Sequence, residues 1–488
     1  MSTTPGSTAN PAEKTFFGHP RMLAHLFSLE VWERFSFYGM QAILALYMYF
    51  EVTDGGLGIE QSLALTLVGA YGGSVYLSTI LGAWLADRIL GSERVLFYSA
   101  VMIMLGHISL AVLPGAVGLT VGLALVGIGS GGLKANATSL VGTLYKEGDE
   151  RRDAGFSIFY MGINLGALFG PLLTGYLRDT AGFHWGFGAA AVGMAIGLVQ
   201  YSFARKGFSE DAHIVENPLP RSQYGRWIGI AVGAVVLIAI ALMLGWIYPG
   251  NLATIMAWAA ILAAVAYFVI ILTNKHVSHV ERRRATAFIP LFIAGAAFWA
   301  LYQQLFTLII VYSEERVDRI VFGFEILPEW IISFVPVYVI VLAAVFAALW
   351  TKLGDRQPSS PLKFAFGLIG IGIAYLMFLP FAGGGANATP LIAIALILLV
   401  FVIAELLISP IGLSVATKLA PSKFRTQMVA LNFLSISLGT TLSGILASRY
   451  DPENEGAYFS ILGITIVVLG GVLIAATPAI KKLMSGVR

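Results

Sequence analysis

Three ionisable residues, Glu30, Glu33 and Arg34, stand together in an otherwise apolar stretch, within EVWERFSFYG. On a helix, spacing of i, i+3 and i+4 places them on one face and within pairing reach. A carboxylate so placed is pulled two ways: the cation favours its ionised form, and removal from water favours its neutral form. Such a group takes up or releases a proton when its partner moves. The plainer alternative is a static ion cluster that pins helices together. Lys134 follows a glycine-rich run in GIGSGGLKANATSLVGTLY, where small residues admit a neighbouring backbone. A lysine there needs a carboxylate from the first helix or from a bound anion; otherwise its side chain reaches back to the membrane surface. Glu405 lies in FVIAELLISPIGL, ahead of Pro410, which breaks the helical ladder. Irregular backbone at membrane depth is tolerated where it lines a cavity, so Glu405 suits the cationic group of a ligand. A charged side chain at the centre of a membrane helix costs roughly 2.5–3.5 kcal/mol, which makes each of these residues a candidate for function. His107, alone in its stretch, reads as a satisfied packing or snorkelling residue. No metal-ligand spacing, phosphate loop or Ser/His/Asp set is present, so no catalytic site, metal or cofactor is expected.

The elements that must position these residues are membrane helices. The chain of 488 residues is 57% hydrophobic and 12% charged, against about a quarter charged in soluble domains. Its 54 glycines fit the same class. A spanning helix needs ~20 mostly apolar residues. Such runs fall at about 22–50, 60–87, 93–113, 117–143, 154–178, 182–203, 226–247, 252–273, 285–312, 327–352, 362–382, 388–417, 426–448 and 457–480. Lys and Arg set the orientation. Apart from Arg34 and Lys134, only Arg178, Arg316, Arg319 and Arg449 fall on the side opposite the two termini. Both termini are therefore expected in the cytoplasm. The first twenty residues are polar and carry no cleavable leader pattern. With no cysteine, disulfides and thiol chemistry are excluded. The net charge of +3 is too small to suggest a nucleic-acid partner.

Residues 227–274 hold no Asp, Glu, Lys, Arg or His and sit between two charged segments. They read as a lipid-facing hairpin inserted between two sets of six helices. The sets echo one another: Leu85-Ala86-Asp87-Arg88 ends the second helix of one, and Leu353-Gly354-Asp355-Arg356 that of the other. Parallel six-helix repeats around a midplane site are an architecture of secondary transporters. The expectation is an all-α polytopic membrane protein. It has an N-terminal tail (1–20), a six-helix bundle (21–204), a linker with the hairpin (205–283) and a second six-helix bundle (284–488). A channel would show polar stripes on several helices, and a membrane enzyme would need a catalytic pair or metal site.

EVWERFSFYG at 30–39 resembles the ExxERFxYYG motif of the proton-coupled oligopeptide transporters, a branch of the major facilitator superfamily. GAWLADRILG (82–91), GSGGLKANATSLVGTLY (129–145), FSIFYMGINLGALFGP (156–171), FWALYQQ (298–304), SPLKFAFG and ELLISPIGLS are similar to further family motifs in the same order. The likeness runs from about residue 15 to the end, and includes the inserted hairpin of prokaryotic members. It implies the major facilitator fold and proton-coupled symport of di- and tripeptides by alternating access, in a bacterial inner membrane. It implies proton coupling by Glu30, Glu33, Arg34 and Lys134, with Lys134 as ionic partner of the carboxylates. It implies peptide contacts from Arg34, Tyr38, Tyr76, Lys134 and Asn164 on one side and Trp299, Glu405, Ser409 and Phe433 on the other. Gly82, Asp87, Arg88 and Gly91 belong to the loop motif. A short peptide is a zwitterion, so cations facing an anion across a cavity form a clamp that reads its two ends. Di- and tripeptides, protons and membrane lipid are the expected partners, with no obligatory protein partner. The alternative is another small solute: nitrate, an amino-acid conjugate or a drug.

Three departures from the family pattern stand out. Gln303 replaces an acid and Gln41 an arginine, at positions that form an ion pair in the family. A paired neutral replacement avoids a lone buried charge, and predicts a Gln41–Gln303 hydrogen-bonded latch. Val335 replaces Asn, and Asn432 an aromatic, so substrate range is expected to differ.

Overall fold

The computed structural model describes residues 16–145, 149, 151–208, 210–215 and 217–486. Most of the N-terminal tail, and Lys146, lie outside the described residues. The first half comprises α1 (Arg21–Tyr49), α2 (Gln61–Leu85), α3 (Ser92–Val112), α4 (Gly115–Thr143), α5 (Arg152–Ala181) and α6 (Phe183–Ala204). The inserted hairpin is α7 (Tyr224–Met243) and α8 (Leu252–Thr273). The second half comprises α9 (His279–Tyr302), α10 (Leu308–Glu315), α11 (Pro328–Ile332), α12 (Phe334–Leu353), α13 (Ser360–Leu376), α14 (Leu391–Lys418), α15 (Arg425–Ala447) and α16 (Glu455–Met484). Helices satisfy their own backbone hydrogen bonds, which a lipid environment demands. Among the described residues 13 helical segments are long and apolar enough to span a membrane. The fourteenth expected span is α1, which has the length, at 29 residues, but carries Glu30, Glu33 and Arg34.

Both halves bring helices together through glycine, and the second adds a run of stacked rings. In the first, helices approach through glycine. A Cβ on Gly166 of α5 would lie 2.5 Å from the Val31 carbonyl of α1, and one on Gly82 of α2 would lie 2.5 Å from Gly132 Cα of α4. In the second, a Cβ on Gly372 of α13 would lie 2.8 Å from the Gly463 carbonyl of α16, and aromatic rings add to the core: Phe378 and Phe459 stack at 4.5 Å, and Tyr375 stacks on Phe401 at 5.8 Å. The halves meet along α2 and α15, where the Ser437 hydroxyl donates to the Gly73 carbonyl at 2.7 Å.

Several local features differ from the expectation. The run expected as one helix over 285–312 breaks at a tight turn, Gln303–Phe306, and resumes as α10. The run from 327 divides at Ser333 into α11 and α12. Conversely, α14 continues through Pro410, so the expected break below Glu405 is absent. Two short strand pairs lie in the connections: β1 (Val317–Asp318) runs parallel to β4 (Thr389–Pro390), and β2 (Ile320–Val321) antiparallel to β3 (Phe324–Glu325).

In the hairpin, α7 has no buried residue, as expected of a lipid-facing element. α8 differs: Ala253, Ala257, Ala260 and Ala264 form one buried face packed on α2 and α15. The linker before the hairpin docks on the first half. Asn217 and Leu219 donate backbone N–H groups to the Asp87 and Arg88 carbonyls. Arg205 holds Glu93 through two bonds, of 2.7 and 2.8 Å. The loop-motif glycines serve this docking and the α2–α4 approach. Gly91 adopts a φ of +82°, and a Cβ there would meet the His213 carbonyl at 2.9 Å.

Candidate functional site

A cavity of about 400 Å³ lies between the halves. From the first half it is lined by Glu30, Arg34, Tyr38, Gln41, Tyr76, Lys134 and Asn164. From the second it is lined by Trp299, Gln303, Val335, Glu405, Ser409, Asn432 and Phe433. Glu33 stands behind this surface, fully buried. Gly82, Asp87, Arg88 and Gly91 are not part of it; Gly82 lies in α2, and the other three form the turn between α2 and α3.

On α1 the three charged groups form one cluster. Arg34 Nε donates to Glu30 Oε1 at 2.7 Å. The same nitrogen lies 2.8 Å from Glu33 Oε2, but its single N–H is aimed at Glu30. Glu33 Oε2 is therefore in electrostatic contact with a cation, and the Ser130 hydroxyl is the neighbouring side-chain donor, although neither Glu33 oxygen has a hydrogen bond of good geometry among the described residues. Lys134 does not make the expected ion pair with either carboxylate in this conformation. Its ammonium lies over the rings of Phe37 (4.5 Å) and Tyr76 (5.2 Å). The negative ring faces hold the cation where no carboxylate oxygen reaches it.

Across the cavity, Glu405 accepts a hydrogen bond from the Tyr302 hydroxyl at 2.5 Å. Tyr302 is itself fixed by stacking on Phe298 at 5.5 Å. Tyr38 stacks on Phe306 at 5.8 Å, so the cavity has an aromatic wall drawn from both halves. Asn164 donates to the Tyr160 carbonyl of the preceding turn.

The expected Gln41–Gln303 bond is not made. Gln303 sits in the turn that interrupts the ninth span, and its amide donates to Thr440 Oγ1 of α15 at 3.2 Å. Gln41 Oε1 is buried without a partner among the described residues. A different pair joins the halves at the end away from the chain termini. Arg178 of α5 grips Glu329 of α11 through two hydrogen bonds, of 2.8 and 2.9 Å, and the Glu329 side chain is 0% exposed. Beside it Trp330 donates to the Leu172 carbonyl and Ser333 to the Leu168 carbonyl; Gln61 donates to Glu315 nearby. The cavity is shut at this end. It extends the other way, past Thr138, Phe159 and Leu413, toward the end bearing the termini.

Tyr302 and Phe37 are functional neighbours that no spacing rule selects, although both lie inside quoted motifs. Arg178 and Glu329 stand at the ends of two apolar runs far apart in sequence, where a charge reads as a loop residue. His107 is buried, and neither ring nitrogen has a partner among the described residues, contrary to the expected satisfied histidine.

Comparison with known proteins identifies the family. Residues 93–461 match the model of the POT family. An uncharacterized transporter of Bacillus subtilis (strain 168) is 42% identical, with 97% of each chain covered. A di-/tripeptide transporter of Lactococcus lactis subsp. cremoris is 39% identical over 98% of this chain and 99% of the relative. A crystal structure of a peptide transporter of the POT class in complex with sulfate superimposes with a TM-score of 0.93 at 44% identity, covering 97% of this chain and 98% of that one. A POT family transporter in complex with 5-aminolevulinic acid gives 0.91 at 36% identity, covering 96% and 98%. The chain is an integral membrane transporter, as its relatives are, and it belongs to the POT family.

Proposed function

We propose that this chain carries di- and tripeptides into the cell coupled to protons, by alternating access between its two halves. One observation carries the reading. A single cavity sets Arg34 and Lys134 on one half against Glu405 on the other, with aromatic walls between. A zwitterion of two or three residues meets a cation at its carboxylate and an anion at its amine, and its side chains meet rings that tolerate variety. The names of the relatives support the substrate class. Because Gln303 is neutral, the protons are carried by the α1 cluster, with Glu33 first because its oxygens are the least tied. With both termini in the cytoplasm of a bacterial cell, the conformation described above is the inward-facing one. No protein partner is required by this scheme.

The test is uptake of labelled di-alanine by proteoliposomes with and without an imposed inward proton gradient. Uptake that rises with the gradient and is competed by tripeptides, but not by free alanine, supports the reading. Absence of uptake by folded protein sinks it. A second reading, an amino-acid-like solute, is favoured by the similar structure that binds 5-aminolevulinic acid. Competition by that compound without competition by peptides is its signature.

A further inference from the structure

A second, smaller cavity of about 30 Å³ opens off the first, between α9, α13, α14 and α15. The two share Trp299, Ser409, Asn432 and Ile436, which form the mouth. The inner wall is apolar, built by Phe288, Leu291, Phe364 and Ile408. Two glycines keep the space open. A Cβ on Gly412 would lie 2.8 Å from Asn432 Oδ1, and one on Gly295 3.1 Å from Ser435 Oγ. Ser435 is engaged: its hydroxyl donates to the Asn432 carbonyl at 2.7 Å. The Asn432 amide and the Ser409 hydroxyl are thus the polar groups that face an entering ligand.

Position and size say what enters. Ser409 stands at i+4 from Glu405, so the mouth lies one helical turn, ~5.4 Å, from the carboxylate. A side chain branching from the carbon that bears an amine seated at Glu405 spans that distance. A water-sized group needs roughly 10–15 Å³ on this measure, so the pocket holds about two or three non-hydrogen atoms and no aromatic ring. An apolar floor under a polar mouth matches a side chain that carries both a methyl and a hydroxyl.

We propose that this side pocket is the subsite for the side chain of the substrate's amino-terminal residue, and that Asn432 and Ser409 select serine or threonine there over an apolar side chain of the same shape. The proposal rests on the peptide reading above. A valine in the same place leaves the Asn432 amide covered and unpaired, which is how a polar site rejects an isostere.

The experiment is inhibition of labelled di-alanine uptake by Thr-Ala, Val-Ala and Phe-Ala, with Ala-Thr and Ala-Val as positional controls. The expected result is that Thr-Ala inhibits at about five-fold lower concentration than Val-Ala, the worth of one net hydrogen bond. Ala-Thr and Ala-Val inhibit alike. Asn432→Leu abolishes the Thr/Val ratio. Gly295→Ala, which narrows the pocket without touching its mouth, weakens Thr-Ala and Val-Ala together relative to Ala-Ala. Equal inhibition by Thr-Ala and Val-Ala in the native protein, or a ratio that survives Asn432→Leu, overturns the subsite alone. Failure of folded native protein to take up di-alanine overturns the peptide reading, and the subsite with it.

Discussion

Replacing Glu329 by Gln leaves the Arg178 guanidinium with only the half-exposed Asp179 carboxylate, 3.9 Å away, as counter-charge in the conformation described here. The pair is well removed from water: the side chains of Arg178 and Glu329 are 11% and 0% exposed. Removing one partner of a buried ion pair costs about 3–5 kcal/mol, most of it the uncompensated charge left behind. The partial exposure of Arg178 argues for the lower end. The cost falls only on the state in which the two halves touch at this end, because separation returns Arg178 to water. At 1.4 kcal/mol per factor of ten, a penalty of ~3 kcal/mol moves the equilibrium about 100-fold toward the state open at that end. The chain contains no cysteine, so labels can be placed without first removing native thiols. Asp54→Cys and Phe322→Cys put two spin labels on exposed loops of opposite halves at the sealed end. In the parent, pulsed dipolar spectroscopy is expected to show mainly the short distance. With Glu329→Gln, the longer distance is expected to dominate. A second change, Arg178→Gln, removes the stranded charge and is expected to restore much of the short population. Indistinguishable distance distributions in parent and Glu329→Gln would refute the assignment of this pair as the closure between the halves.

Glu33→Gln is expected to abolish the response of uptake to an inward proton gradient while exchange of labelled for unlabelled peptide continues; an undiminished gradient response in liposomes counts against Glu33 as the carrier. Glu405→Gln removes a charged hydrogen-bond acceptor worth about 1.5–3 kcal/mol. It should raise the concentration of di-alanine needed for half-maximal uptake by roughly 10- to 100-fold, and an amino-acetylated peptide should compete equally poorly with both proteins. At the seam between α2 and α15, a Cβ on Gly69 would lie 2.5 Å from Gly444 Cα. Gly69→Leu is therefore expected to cost about 1–3 kcal/mol through overpacking; an unchanged midpoint of thermal unfolding would show that the seam can give way.

The helical architecture was legible because the bilayer imposes a length and a polarity on every span, and few sequences meet both by accident. The cavity was legible for a related reason. Glu30, Arg34, Lys134 and Glu405 are conspicuous in apolar helices, and the fold gathers all four around one space. What stayed hidden depends on contacts between distant segments. Lys134 rests on Phe37 and Tyr76 rather than on a carboxylate, and no local pattern separates these outcomes. Gln303 turns to Thr440 because the helix breaks beside it, and that break has neither a proline nor a glycine to mark it. The Arg178–Glu329 pair joins two residues that each look like the edge of a loop. The strand pairs at 317–325 and 389–390 are two residues long and leave no alternating pattern to find.

The alanine face of α8 has a mechanical consequence. α8 leans on α2 from one half and α15 from the other, so it lies along the groove between the two bodies. Methyl groups at Ala253, Ala257, Ala260 and Ala264 present a shallow surface over most of the helix, with Phe268 and Ile271 packing only near its end. Packed helices that lack deep ridges slide past one another at small cost, as in shear motions between domains. In the alternating-access scheme proposed above, α8 would act as a gasket that keeps acyl chains out of the opening groove without resisting the pivot. Its neighbour α7, which has no buried residue and touches α2 through Trp227 on Trp84, would anchor that gasket in lipid.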